Sequence, residues 1–334
     1  MTMSDGRHVS VDAKYKGKNI KTKLAAYLES FVFNDVASGE SDSISITLCD
    51  KNKKWMGNWF PEKGDDIVPS IILHNWSASG TKKTIKCGKF TIDDLSYSGP
   101  PTVCNIGAVS VPSKQGFQNT KHHKVWKNHS IKQIAADIAK KYGLKLSFED
   151  NRNIVIKTIE QSGESDSSFF SSLCSKYGLA LKVFNNKICV FNEEIYEKKK
   201  PIVTIHPSDF IGQWNYNTTI AGTYTGAKIS YTSGKESKDI EVKIGSGSRI
   251  LEVNEKAESR KDAEYIARGM MKSENRKTTT MSFTIMANAK IYATCCIYVK
   301  GLRKLSGKYY VEKVSQNISA SEHTMSLTLH KVVS

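Results

Sequence analysis

One strand pattern occurs twice in this chain, once towards each end. Residues 88–96 read GKFTIDDLS and residues 307–315 read GKYYVEKVS, and the two stretches align position by position from the glycine to the serine. In both, apolar residues alternate at the third and fifth positions and then resume at the eighth, so the phase slips by one residue. Such a slip moves side chains to the other face of a strand, and a β-bulge absorbs it. Because bulges turn corners where a small sheet closes, the repeat predicts two related small antiparallel β-barrels.

The N-terminal part of the chain has the pattern of strands and turns. Residues 43–50 (SISITLCD) alternate apolar and polar side chains, which predicts a half-buried strand. Residues 13–21 predict a hairpin that turns at residues 16–18. The sequence GPP at residues 99–101 breaks the chain before another predicted strand at residues 103–111.

The C-terminal part is again rich in strand patterns. Residues 226–245 predict a long hairpin that turns at residues 233–235, and residues 280–288 and 324–332 predict two further alternating strands. One amphipathic helix, at about residues 259–274, interrupts the strands.

The middle part has a different pattern, in which two units each predict a helix followed by a strand. In the first unit Ser130 and Gln133 form a capping box at the start of the helix, and Gly143 ends it. The second unit repeats this plan around the shared sequence KYGL, with Ser165 in the place of Ser130. The apolar stripes of both helices are typical of a shared core.

These patterns predict an α+β fold that is mostly β. Two related small antiparallel β-barrel domains flank an α/β module of two helix–strand units. The first, tube-like barrel is expected at residues 1–112, the α/β insertion module at residues 113–200, and the second barrel at residues 201–334. The length of 334 residues fits two or three domains, at roughly 100–200 residues per domain.

The composition limits the class of protein. There is no run of about 18 apolar residues, so no membrane span is predicted, and the N-terminus lacks the apolar core of a secretory signal, which predicts folding in a cytoplasm. The seven cysteines contain no C-x-x-C pair and are interpreted as buried apolar residues. The net charge of +16 is compatible with nucleic acid, an anionic membrane or an acidic protein partner.

The chain resembles the phage late control protein D family, the baseplate or tail hub proteins of contractile phages and phage-tail-like bacteriocins. The resemblance covers the segment from residue 259 onward, the Gly-Asp loop in residues 59–73, and a segment Q-x-x-E-S-D-x-x-F-L-x-x-L-x-x-x-x-G that is also found in the hub part of type VI secretion spike proteins. That segment is matched by Gln161, Glu164, Ser165, Asp166, Phe169, Phe170, Leu173 and Gly178. The sequence departs from the family at residues 293–296, where relatives often carry a glycine turn.

The resemblance implies a structural baseplate hub without chemistry of its own. It implies a homotrimer whose two barrels per chain make a pseudo-hexameric ring, a symmetry adaptor between the hexameric tail tube protein and the trimeric spike protein. Baseplate wedge proteins are further expected partners. Assembly in the host bacterial cytoplasm and a place in the tail baseplate of the released particle are expected, in a phage or a bacteriocin. Because the chain ends at Ser334, the spike is expected to be a separate protein.

The repeated strands supply the candidate contacts with other subunits or with the tube. The apolar members Phe90, Ile92, Tyr309 and Val311 are interpreted as core residues of their own barrels. The polar members are expected at exposed positions where strand edges can pair with a neighbour. These candidates are Lys89, Asp93, Ser96, Lys308, Glu312 and Ser315.

An enzyme is the less favoured interpretation. The cluster of His122, His123 and His129 lies in a lysine-rich stretch without acidic or cysteine partners, so no metal is expected, and no cofactor motif occurs. Cys174 has no local histidine that would activate it, so no catalytic residue is assigned. The alternative function is a cell-wall-binding or peptidoglycan-degrading tail protein. Non-specific contact with DNA passing through the lumen is a further possibility for a basic chain.

Overall fold

The computed structural model describes residues 6–76, 78–110, 116–232, 239–320 and 322–332. Its N-terminal third contains β1 (His8–Tyr15), β2 (Lys18–Asn19), α1 (Lys21–Ala25), β3 (Leu28–Val36), β4 (Ser43–Cys49), β5 (Asp66–His74), β6 (Lys82–Lys86), β7 (Phe90–Ser98) and β8 (Val103–Val109). The middle contains β9 (Lys121–Ser130), α2 (Ile131–Lys141), β10 (Lys145–Glu149), β11 (Val155–Ser165), α3 (Asp166–Lys176), β12 (Leu179–Phe184), β13 (Lys187–Asn192) and α4 (Glu193–Glu197).

The C-terminal part contains the remaining elements. They are β14 (Thr204–Ile205), β15 (Phe210–Thr218), β16 (Gly226–Thr232), β17 (Asp239–Gly245), β18 (Ile250–Val253), α5 (Arg260–Arg276), β19 (Thr279–Met286), β20 (Cys296–Val299), β21 (Gly307–Ser319) and β22 (His323–Lys331). The predicted α+β, mostly β class is therefore confirmed.

One large sheet joins the two ends of the chain. Its strands lie in the order β15-β19-β22-β21-β3-β4-β8-β7-β5-β1-β2, with β6, β14 and β20 paired beside this path. The strands β21 and β3 link its C-terminal and N-terminal portions. Over the described ranges the path of paired strands does not close on itself, so the two closed barrels remain a prediction.

The two portions of this sheet have the same strand order. The N-terminal portion runs β3-β4-β8-β7-β5 and the C-terminal portion runs β15-β19-β22-β21-β20, and all of these pairs are antiparallel. From one side of each portion to the other, the strands are the first, second, fifth, fourth and third of that portion in chain order. The registers also correspond, since Ile67 pairs with Phe90 as Ile297 pairs with Tyr309.

The phase slip in the repeated stretch is a bulge in both copies. The pairing of β7 with β8 shifts between Ile92 and Asp94, and that of β21 with β22 shifts between Val311 and Lys313. The extra residues are Asp93 and Glu312, which occupy the same position of the repeat. The predicted bulges are therefore confirmed.

Local patterns also form the elements they predict. Residues 16 and 17 turn between β1 and β2, with Lys16 and Gly17 in the left-handed region at φ 48° and 78°. The Ser130 hydroxyl accepts a hydrogen bond from the backbone N–H of Gln133, and the Gln133 side chain accepts one from the backbone N–H of Ser130, as the capping box predicts. Gly143 follows α2 with φ 62°, where a residue with a Cβ would be strained. The turn predicted at residues 233–235 lies outside the described residues.

The helices share one core in the middle of the molecule. Residues of α2 and α3 pack in the same apolar cluster as Ala263 and Ile266 of α5 and Ile229 of β16. Helix α5 and the sheet β17-β16-β18 lie between β15 and β19 in the sequence, yet they pack against the middle module. The division at residues 112 and 200 remains a prediction.

Candidate interaction surface

The pairing of β21 with β3 forms a seam between the two portions of the large sheet. It runs antiparallel from Lys313 opposite Val36 to Ser319 opposite Ser30. At its centre the Ser315 hydroxyl donates a hydrogen bond of 2.6 Å to Asn34 Oδ1. Strand pairing of this kind satisfies the backbone groups of both edges, so the seam holds the two repeats at a fixed register.

A cluster of buried charges fixes the middle module to this seam. Lys182 of β12 places its Nζ 2.5 Å from Asp35 Oδ1 and 3.1 Å from Asp42 Oδ1. Asp35 Oδ2 accepts the backbone N–H of Ala293 at 2.8 Å, and Asp42 Oδ1 accepts that of Val36 at 2.9 Å. The cluster therefore touches the first repeat, the middle module and the second repeat at one point.

Burial and charge act in opposite directions within this cluster. Burial raises the pKa of Asp42 to about 6, and the charge of Lys182 only partly offsets this effect. Burial tends to lower the pKa of Lys182, but the charges of Asp35 and Asp42 outweigh it and raise that pKa. Lys182 is thus held in its charged form. Its partner Asp35 is the carboxylate at the shortest distance.

A second buried network includes His330 of β22, the strand that pairs with β21 on the side away from β3. His330 of β22 lies 2.8 Å from Glu312 Oε1 through Nδ1 and 3.1 Å from Glu197 Oε1 through Nε2. Arg276 at the end of α5 donates to Glu197 at 2.5 Å and lies 2.7 Å from Glu193 Oε2. The network ties the second repeat to α4 and α5.

The electrostatics of this network favour the charged form of His330. Burial alone would lower the pKa of His330, but its hydrogen bonds to Glu197 and Glu312 raise the pKa above the ordinary value. Burial would raise the pKa of Glu197, whereas the hydrogen bond from His330 and the charge of Arg276 bring it down to about 2.

The sequence-predicted candidates lie at different places on the repeats. Glu312 and Ser315 take part in contacts within the chain, to His330 and Asn34. Lys89 lies 2.9 Å from Asp66. Lys308 is half-buried opposite Tyr298 of β20.

Asp93 and Ser96 are exposed on β7. A role of any candidate in contacts between subunits remains a prediction. The apolar members of the repeat are buried in two cores, as expected. They are Phe90 and Ile92 in the first core and Tyr309 and Val311 in the second.

Among the described strands of the two corresponding portions, β3-β4-β8-β7-β5 and β15-β19-β22-β21-β20, two edges are open. Beyond Ile92, strand β7 pairs with β8 on one side and has no strand on the other, because its pairing with β5 ends at Thr91. Strand β15 pairs with β19 alone and forms the end of the sheet path. The sequence did not reveal these edges, because a strand pattern does not indicate which neighbours a strand acquires.

Asp166, the first residue of α3, has a structural role beyond the start of its own helix. Its buried carboxylate accepts hydrogen bonds from Lys141 at 2.6 Å, Tyr142 at 2.7 Å and Gln161 at 2.8 Å. Burial tends to raise the pKa of Asp166, and these bonds lower it overall. The carboxylate therefore holds the end of α2 against the start of α3.

The described residues give little support for catalysis. No group of three or more His, Cys, Asp or Glu side chains among them could hold a metal ion. Burial raises the pKa of the Cys174 thiol, which disfavours the reactive thiolate. None of the helices in the described ranges combines the length and the apolarity that a bilayer crossing requires.

Comparison with known proteins points to the tails of phages. The chain is 25% identical over 237 residues to the probable baseplate hub protein of Escherichia phage 186, which covers 67% of this chain and 60% of that protein. It is 29% identical over 226 residues to the probable baseplate hub protein of Escherichia phage P2, which covers 66% of this chain and 56% of that protein. The chain thus spans less than two thirds of the length of these curated relatives.

The fold is also similar to that of phage tail proteins. A 43 kDa tail protein of prophage MuSo2 from Shewanella oneidensis superposes with a TM-score of 0.73 at 12% identity, over 97% of this chain and 98% of that one. The chain thus has the fold of a phage tail protein, and its predicted resemblance to baseplate hub proteins is confirmed. The YQBQ-like family matches residues 117–330, and the chain belongs to that family.

Proposed function

We propose that this chain is the structural hub of the baseplate in a contractile injection machine. Three copies form a ring in which the two repeats of each chain alternate, so that a three-fold assembly presents six similar units. The observation that carries the proposal is the shared strand order of β3-β4-β8-β7-β5 and β15-β19-β22-β21-β20, with a bulge at the same place in each. Each repeat would act as one tube-like barrel of the ring.

The same duplication would match the symmetry of the ring to that of its partners. Six similar units match a hexameric tail tube protein on one side, and the true three-fold symmetry matches a trimeric spike protein on the other. Baseplate wedge proteins would surround the ring in the released particle, after assembly in the bacterial cytoplasm. With a net charge of +16, the ring could also contact DNA in its lumen without sequence preference.

The proposed role is one of assembly, without catalysis. The buried charges of Lys182 and His330 are all paired within the chain and join its parts, which suits a rigid adaptor. The two phage relatives are probable baseplate hub proteins, and this similarity supports the same role.

The experiment removes the gene from the locus that encodes the tail and examines the particles by electron microscopy. We expect particles without assembled tails, and restoration of tails when the chain is supplied in trans. A peptide tag on the supplied chain should locate it at the tip of the tail. Complete tails of normal length in the absence of the chain would contradict the proposal.

A further inference from the structure

The open edge of β15 is unusual for a strand at the end of a sheet. Its sequence FIGQWNYNT carries no charge and no proline, and its side chains are largely exposed, including Trp214 at 40%. Exposed edge strands are normally protected by charges, prolines or a covering element, because their free backbone groups pair readily with another strand. The described part of the chain supplies no such cover for β15.

The seam inside the chain shows what covers the equivalent edges. By the shared strand order, β3 corresponds to β15 and β21 corresponds to β7. The registers make this correspondence residue by residue, since Asn34 lies opposite Ser43 as Asn217 lies opposite Thr280. The repeat likewise aligns Ser96 with Ser315. The two edges that are paired within the chain are therefore the counterparts of the two edges that are open.

We infer that β7 of one copy pairs antiparallel with β15 of a second copy, in the register that β21 and β3 use within one chain. The inference rests on the proposed ring and names its contact. Ser315 opposite Asn34 becomes Ser96 opposite Asn217 of the next copy. The adjoining pairs are Leu95 with Thr218, Tyr97 with Tyr216 and Ser98 with Asn215.

The burial of the equivalent aromatic residues favours this contact. Phe33 at the seam is 5% exposed and Phe31, two residues before it, is fully buried. Their counterparts on β15 are Tyr216, which is half-buried, and Trp214, which is 40% exposed. Phe31 and Phe33 lie in the core of the first repeat, which Ile318 of β21 joins across the seam. A second copy at the edge of β15 would add side chains over Trp214 and Tyr216 in the same way.

The contact also explains why association would stop at a closed ring. Each chain offers one edge of each kind, so copies join head to tail, and head-to-tail contacts form a ring when the rotation closes. In a ring of three, three seams within chains alternate with three contacts between chains. Every repeat then has the same neighbours.

The test is disulfide crosslinking of the full chain with Ser96→Cys and Asn217→Cys combined. Residues opposite each other in antiparallel strands have Cα atoms about 4.5–5.5 Å apart, which lies within the range that a disulfide spans. We expect covalent oligomers that end at three chains on a non-reducing gel. The positive control is Asn34→Cys with Ser315→Cys, which should crosslink within one chain.

Two further variants test the register of this contact. Ser96→Cys with Thr218→Cys moves one cysteine to the opposite face of its strand and should give little crosslinking. Ser96→Cys alone should give none, because none of the seven native cysteines is exposed.

A trimer by native mass measurement that crosslinks no better at residue 217 than at 218 would overturn this contact and leave the ring intact. A chain that stays monomeric with its spike would overturn the ring and this contact together. The gene-removal experiment alone would then decide whether the chain lies at the tail tip.

Discussion

Gly178 and Gly269 lie back to back where the end of α3 meets the middle of α5. A Cβ on Gly269 would lie 2.6 Å from the backbone nitrogen of Gly178, and a Cβ on Gly178 would lie 2.5 Å from the Cα of Gly269. Both contacts are with backbone, which cannot move aside as a side chain can. The two glycines therefore allow α5 to pack on the middle module.

We expect Gly269→Ala to destabilise the protein, although alanine normally stabilises a helix interior by about 1 kcal/mol relative to glycine. Overpacking at a tight contact typically costs about 1–3 kcal/mol, which exceeds that gain. Urea unfolding followed by circular dichroism measures the change. Arg268→Ala at the adjacent exposed position is the control and should change stability little. A Gly269→Ala protein as stable as the wild type would contradict the close packing.

The charge cluster at the seam gives a second prediction. Lys182→Met leaves Asp35 and Asp42 without their cation, and removing one partner of a buried ion pair typically costs about 3–5 kcal/mol. Urea unfolding again measures the loss. Lys228→Met is the matched control, because Lys228 pairs with Glu241 at 3.0 Å on the surface and exposed pairs contribute little. Equal effects of the two substitutions would show that the cluster does not hold the module to the seam.

The His330 network predicts a pH window of stability. The raised pKa of His330 gives stabilisation that is complete below pH 6.5 and is lost as the pH rises through the raised value. The low pKa of Glu197, about 2, gives stabilisation that is complete above pH 4.5 and is lost as the pH falls towards 2. The network therefore contributes most between these two ordinary values. Arg276, Glu193 and the ring of Tyr310 also face the network.

Thermal melting across this range, in wild type and His330→Gln, tests that window. We expect the Tm difference between the two proteins to be largest between pH 4.5 and 6.5 and to shrink on either side. A difference that stays constant with pH would mean that the pKa of His330 does not change on folding, and it would contradict the stabilising role of the network.

The absence of chemistry can be tested with the purified chain. We expect it to leave the turbidity of a suspension of bacterial cell walls unchanged, with a lysozyme-type enzyme as the positive control. Clearing of the suspension that a single carboxylate substitution abolished would instead establish the alternative, a peptidoglycan-degrading tail protein.

Much of the fold could be predicted from local patterns. The capping box at Ser130, the turn at Gly17 and the bulges at Asp93 and Glu312 are decided by residues a few positions apart. Alternation along a strand reports which face is buried, and it did so correctly for the repeated stretches.

The partners of these elements could not be predicted in the same way. The seam joins β3 to β21 across most of the chain, and alternation within either strand is the same whichever strand lies beside it. Lys182 lies at a polar position in LALKVF and looks solvated, yet it is buried among two carboxylates. Helix α5 carries an ordinary amphipathic pattern, which does not indicate that its apolar face packs on the middle module.

The number and symmetry of chains in the hub test the proposed ring. Cryo-electron microscopy of the tail tip, or native mass spectrometry of the spike-bound complex, counts them. We expect three chains around one axis, with the portions built on β3 and on β15 alternating as six similar units. A ring of six chains, or three chains whose two repeats lie at different radii, would contradict it.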